Sequence, residues 1–167
     1  MDATTAPRLR MYRLLVHGNP VPKARARVVT GKGRKGWAMT PARTVGAEDA
    51  VTAAALEQIG LLKHEGPVAV HWRFYRSTRG VCDYDNLSKL ATDACTGILW
   101  VDDDQIVAAF TEKHMVGRGE GRTEGFIILA AAGTSVMELV QALIATVGLS
   151  LDWRQEPEAG QIPLPLL

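Results

Sequence analysis

Asp83 and Asp85 stand two residues apart, and three more aspartates, Asp102, Asp103 and Asp104, follow in a row within the same 22-residue stretch. Like charges brought close together cost stability unless cations compensate them. Hard divalent cations, Mg²⁺ above all, are bound through carboxylate oxygens and water. A pair of them about 4 Å apart stabilises both the attacking and the leaving oxygen of a phosphodiester. Aspartates on two different elements are what such a site requires. Lys89 lies four residues after Asp85, on the same side of a helix, where a cation neutralises charge on a reacting phosphate. The same spacing also makes Asp85, Lys89 and Asp93 a surface ladder of i,i+4 pairs, worth about 0.3–0.5 kcal/mol each. Capping accounts for one of Asp85 and Asn86, since both residue types are preferred at helix starts. It does not account for Asp83 or the aspartate triplet, for which the alternative to a metal site is a solvated turn.

Two other readings of the same residues fail on spacing. A dehalogenase-type phosphatase pair needs Thr or Val where Leu87 stands, and a calcium loop needs Gly at Ser88 and an oxygen ligand at Leu87. Cys82 and Cys95 fit no zinc spacing and no disulfide framework, and read as two reduced thiols.

The elements that must position these residues follow from the hydrophobic patterning. Residues 9–17 read as a strand ending at the Gly18-Asn19-Pro20 turn. Thr40 is the expected N-cap of a helix opened by Pro41, with Val45, Val51, Ala55, Leu56 and Ile59 as its apolar stripe and Gly60 as its stop. Val68, Val70, Trp72 and Phe74 alternate in a half-buried strand over 67–75. Leu87, Leu90, Ala91 and Ala94 recur at helical spacing, giving a helix of about 11 residues that starts near Asp85 or Asn86 and ends by Gly97. A strand over 105–114 then leads through a Gly-rich hairpin loop into a strand at Phe126. Val136, Leu139, Val140, Leu143, Ile144 and Val147 form the clearest amphipathic stripe, followed by a Pro-containing tail. The order βαβαββα predicts a single α/β or α+β domain, a mixed sheet with helices packed on it.

The net charge of +1 hides an asymmetry. Residues 1–43 carry ten Lys or Arg and the single acid Asp2, whereas the remainder carries nine basic and seventeen acidic side chains. Charge alone is equally consistent with a merely solvated basic surface and with a basic arm for a polyanion, attached to a body that concentrates carboxylates. Its basic loop, about 18–36, holds Lys23, Arg25, Arg27, Lys32, Arg34 and Lys35. With Arg76 and Arg79 on the turn before Asp83, these are the candidate phosphate contacts, shape-directed and salt-dependent. Trp37 and Trp72 are candidates for stacking on open bases, or for the core. No apolar run approaches the roughly 20 residues that cross a bilayer, and the first residues lack the apolar stretch of a signal peptide, so no membrane association and a cytoplasmic location are expected.

From Asp83 to Lys113 the chain resembles the RusA-like Holliday junction resolvases. The residues that carry the likeness are Asp83, Asp85, Asn86, Lys89, Asp93, Ala94, Gly97, Trp100, Asp102, Asp103, Gln105, Ile106, Val107 and Lys113. The upstream G-x-P-x-P-K-x-R-x-R from Gly18 to Arg27 is similar to an arm found in many members, and the likeness covers about residues 10–130. It implies that Asp83, Asp85 and Asp103 are metal-binding catalytic carboxylates and that Lys89 is the catalytic lysine. The implied cofactor is Mg²⁺, with Mn²⁺ as a substitute and no small-molecule cofactor. The implied enzyme is a homodimer that nicks opposed strands of a four-way junction in DNA recombination and repair, leaving 5′-phosphate and 3′-hydroxyl ends. Residues 1–133 would be the endonuclease domain and 134–167 an extension of it. Asp104 follows the usual aspartate pair, so the register of the metal ligand among Asp102, Asp103 and Asp104 stays open; strand alternation sets Asp103 opposite the other two. A four-way junction offers two scissile phosphates related by approximate two-fold symmetry, which an isologous dimer matches. The C-terminal stripe would serve that interface or pack on its own sheet. The alternative from another class is a branched-DNA-binding protein without chemistry.

Overall fold

The structure, a computed structural model, describes residues 8–29, 37–147 and 161–162. In chain order its elements are β1 (Leu9–His17), β2 (Arg27–Val29), β3 (Trp37–Met39), α1 (Ala42–Gln58), β4 (Val68–Arg76), α2 (Tyr84–Cys95), β5 (Ile106–Met115), β6 (Arg122–Ala130), α3 (Val136–Val147) and β7 (Gln161–Ile162). The chain is one mixed α+β unit. Its main sheet runs β5-β4-β6-β1-β7, with β4 and β5 parallel and the other neighbours antiparallel.

β4 is central and buried on both faces, only Tyr75 being partly accessible, which corrects the half-buried strand expected from its alternation. The reason is that helices cover both sides of the sheet. Val68, Val70, Trp72 and Phe74 join Tyr12, Leu14, Val51, Ala55, Leu87 and Leu90 under α1 and α2. Ala69 joins Met11, Phe126, Ile128, Leu139 and Leu143 under α3. Trp72, fully buried and stacked on Phe74, belongs to the core and is closed to DNA bases. α3 packs on its own subunit's sheet through Leu139, Ala142, Leu143 and Thr146, while Val136, Met137, Ile144 and Val147 of the same helix stay exposed.

β5 and β6 do not form the expected hairpin. The apolar, doubly covered β4 lies between them, and the half-exposed β5 takes the edge. α2 is therefore the crossover of a parallel β4-α2-β5 unit, and it runs back along the sheet beside β5. The N-cap of α1 is Pro41 rather than Thr40, with no side-chain capping bond; the Pro41 carbonyl accepts from Thr44 N at 2.9 Å instead. Val45 and Leu56 are exposed, because the buried face of α1 runs through Thr44, Val51 and Ala55. Gly60 ends this helix with φ +97°, as its position predicts. Within the basic loop, β2 and β3 pair as a short hairpin that no periodicity foretold.

α3 is fastened to the sheet by a polar cluster. His71, with no solvent exposure, lies 2.6 Å from Thr146 Oγ1 through Nδ1 and 2.7 Å from Glu112 Oε1 through Nε2. Arg73 Nη2 donates to the carbonyls of Thr146 and Val147 at 2.8 Å each, satisfying the open end of the helix.

Candidate active site

Helical spacing divides α2 into two sides. Leu87, Leu90, Ala91 and Ala94 face the core, whereas Asp85, Ser88, Lys89 and Thr92 face β5 across an open cleft of about 510 Å³. The opposite wall is Ala109, Phe110 and Thr111 of β5, with Asp103 at its foot. Thr111 Oγ1 donates to Ser88 Oγ at 3.4 Å and holds the walls at this spacing.

α2 starts at Tyr84, one position before the earliest expected start, so its N-cap is Asp83 rather than Asp85 or Asn86, and the Asp83 side chain makes no capping bond. Two cations shape the turn that delivers it. Arg76 Nη1 donates to Gly80 O at 2.8 Å, and Lys113 Nζ donates to Cys82 O at 2.8 Å.

At the other end of the cleft the three consecutive aspartates have separate fates. They lie in a single 3₁₀ turn rather than an extended strand, so strand alternation does not govern them. Asp102 caps the turn, its Oδ1 accepting from Asp104 N at 3.0 Å. Gln105 completes a capping box: its Oε1 accepts from Val101 N at 2.9 Å and Asp102 N at 2.8 Å, and its Nε2 donates to His64 O and Gly66 O at 2.8 Å each. Asp103 alone of the three lines the cleft. The carboxylates of Asp83, Asp85 and Asp103 make no hydrogen bond or ion pair with any described residue, so all three are uncommitted, although the Asp83 and Asp103 carbonyls accept bonds from the backbone.

The three do not converge. Among the described residues no group of three or more His, Cys, Asp or Glu side chains is gathered to hold a metal ion. The direction of α2 explains this. Asp85 sits in its first turn, and Asp103 beyond its last, before β5 starts back. At about 1.5 Å per helical residue and 3.3 Å per strand residue the two stand on the order of 10–15 Å apart along the cleft. The expected meeting of carboxylates from separate stretches is thus not made within one chain.

Lys89 is between the two ends, exposed, and 3.8 Å from Asp93. Asp93 is engaged more tightly by Lys23, whose Nζ lies 2.6 Å from Asp93 Oδ2 and 2.7 Å from Glu48 Oε1. Burial opposes the charge on Lys23, but its bonds to Asp93 and Glu48 outweigh that and hold its pKa above the ordinary value. Its backbone N also donates to Asn86 O at 2.8 Å. Lys23 therefore anchors the basic loop to α2, and its charge is matched inside the protein. Arg76 is likewise buried and turned inward to Gly80 and Thr78. Arg25 and Arg79 are exposed, and Arg27 opens β2. Lys32, Arg34 and Lys35 lie outside the described residues. Sequence reasoning assigned no role to Ser88, Thr92, Gln105 or Lys113; the first two were legible as the positions three and seven after Asp85 on one helical face.

An open cleft with carboxylates at both ends, a lysine between them and hydroxyls along its walls, set beside the crossover helix of a mixed sheet, defines a protein whose chemistry suits phosphodiesters. The chain matches the family model for endodeoxyribonuclease RusA over residues 17–124, and it belongs to that family. Membership makes it a nuclease of the Holliday-junction-resolving class. The matched span contains the whole cleft and the basic loop and leaves α3 outside. No curated protein matches the chain.

Proposed function

We propose that the protein is a Mg²⁺-dependent endodeoxyribonuclease that resolves four-way DNA junctions as a homodimer, with Asp83, Asp85 and Asp103 as metal-binding carboxylates and Lys89 as the catalytic cation. The single observation that carries this reading is the cleft itself, where Asp85, Lys89 and Asp103 face one space in a chain of the RusA family. Uncommitted carboxylates with neighbouring hydroxyls and no soft ligand fit a hard cation in donor chemistry. When bound, such a cation supplies an activated water and charge compensation at the scissile phosphate. Asp83 and Asp85 would hold it at one end. Lys89, exposed along the cleft, would bind the non-bridging phosphate oxygens, and Arg25, Arg27 and Arg79 would carry the flanking backbone. The products would be 5′-phosphate and 3′-hydroxyl ends.

The second copy answers the separation of Asp85 from Asp103. β5 is an edge strand, and Phe110, Ile144 and Val147 form an exposed apolar trough between it and α3. An isologous contact there runs the two β5 strands antiparallel. The Asp103 end of each copy then meets the Asp83–Asp85 end of the other, and two equivalent sites arise by symmetry.

The test is a labelled four-way junction incubated with Mg²⁺ or EDTA, with Asp85→Asn as control. Paired nicking only with Mg²⁺, lost in the variant, is the expected result. Binding without Mg²⁺-dependent nicking would instead make this a non-catalytic branched-DNA-binding protein.

A further inference from the structure

We infer that Lys113 is a positioning residue for the acidic end of the cleft, its ammonium fixing the peptide that carries Asp83. The inference rests on the metal-dependent reading above. Asp83 has little of its own to hold it: its carboxylate makes no capping bond, and the bond by which its carbonyl enters α2, from Leu87 N, is long at 3.4 Å. The preceding Val81 is fully exposed and packs on nothing. Against this, Lys113 Nζ reaches from β5 to the Cys82 carbonyl at 2.8 Å. That carbonyl belongs to the planar peptide whose nitrogen is that of Asp83, so the bond sets the plane from which the Asp83 side chain departs. The bond is charge-assisted, and Lys113 stands opposite Phe74 in the β4–β5 register, on the α2 side of the sheet. β5 thereby bears on both ends of the cleft, since the turn bearing Asp103 leads into it and Lys113 fixes the peptide just before Tyr84 and Asp85, which line the other end.

The experiment uses the full-length protein without DNA and Mn²⁺ as the probe, with free Mn²⁺ read by electron paramagnetic resonance. Lys113→Met, which keeps the stem and removes the donor, is expected to weaken Mn²⁺ binding about 10- to 100-fold, as loss of a residue supporting a metal ligand does. It is also expected to speed amide exchange over residues 82–87, while junction binding in EDTA stays unchanged. Lys113→Arg should restore part of the affinity. In an Asp83→Asn background Lys113→Met should add no further loss, whereas a lysine that only supports the fold would cost as much in both backgrounds. If Lys113→Met fails to fold, Lys113→Gln, which stays polar but whose amide nitrogen ends one bond short of the Cys82 carbonyl, serves the same comparison. Equal losses in the two backgrounds, or a variant that binds Mn²⁺ as the wild type does, would overturn the role and leave the nuclease reading intact. A wild type that binds no Mn²⁺ would overturn both together.

Discussion

Replacing Asp102 and Asp103 one at a time by alanine removes the same charge from neighbouring positions and should produce opposite phenotypes. Asp102 spends its side chain on Asp104 N at 3.0 Å and belongs to a capping box with Gln105. Losing such a cap costs about 1 kcal/mol, which in a chain of this size lowers Tm by roughly 2–4 °C. The Asp103 side chain makes no bond within the described residues and lines the cleft, so Asp103→Ala, which leaves the carbonyl bond to Ile106 N in place, should leave stability within about 0.5 kcal/mol. Its effect belongs in the chemistry. Removing a residue that merely supports a ligand costs about 10- to 100-fold, so removing a ligand should cost more than that, or at least about 1.4–2.7 kcal/mol of transition-state stabilisation. Calorimetry of the metal-free proteins and single-turnover nicking of a four-way junction read the two effects separately. Asp104→Ala, in the same turn, should be silent in both. If Asp102→Ala abolished nicking at unchanged Tm, or Asp103→Ala nicked at the wild-type rate, the assignment of cap and ligand would be refuted.

Mixing Asp85→Asn with Asp103→Asn protein should regenerate activity, because a mixed dimer with shared sites holds one doubly damaged site and one intact site; no recovery would mean that each site is built within one chain. Ile144→Asp, on the exposed trough, should convert a dimer to a monomer by light scattering with little change in Tm, and should lower nicking with it. Gly125→Ala should destabilise the fold by about 1–3 kcal/mol in urea titration, since a Cβ there would overlap the buried Trp72 ring. Acidification should loosen α3. Burial holds His71 below its ordinary pKa, so stability is full above about pH 6.5 and falls as pH drops below it, by no more than about 1.4 kcal/mol per pH unit. Burial raises the carboxyl of Glu112, but bonds from His114 and His71 and the charge of Arg73 outweigh it and hold its pKa low, adding a second loss below about pH 4.5. A urea midpoint that stays flat from pH 7.5 to 5.5, or that falls equally in His71→Gln, would contradict this.

Where hydrophobic spacing or a helix-ending glycine decided the outcome, it was legible in the sequence. Gly60 and Gly97 end helices because only a residue tolerant of positive φ fits there, and their φ values are +97° and +79°. Leu87, Leu90, Ala91 and Ala94 define α2 because their spacing buries one side against the sheet. What stayed hidden depends on contacts between segments distant in sequence. β4 shows the alternation of a half-buried strand, yet His71 and Arg73 on its other face are buried too, because Glu112 and the end of α3 satisfy them from 39 to 74 residues away. Lys23 looked like an outward phosphate contact because the acids that capture it, Glu48 and Asp93, come from two other elements. The aspartate triplet resisted a register argument because it forms a 3₁₀ turn, where the period-two rule does not apply.

The same topology bears on why the acids were expected to meet and why one chain keeps them apart. A parallel pair of strands needs a crossover helix, and that helix must run back along the sheet before the next strand begins. Residues at the start of α2 and residues just before β5 are therefore at opposite ends of the unit however close they are in sequence. A site that needs both must be closed by something else. The edge position of β5, its exposed apolar trough and the two-fold character of a four-way junction all point to a second copy running the other way. On this reading the separation of Asp85 from Asp103 makes cleavage conditional on assembly. A lone subunit could bind DNA but would lack a complete site, so a single nick by a stray monomer would be disfavoured, and the two strands would be cut by two sites that come into being together.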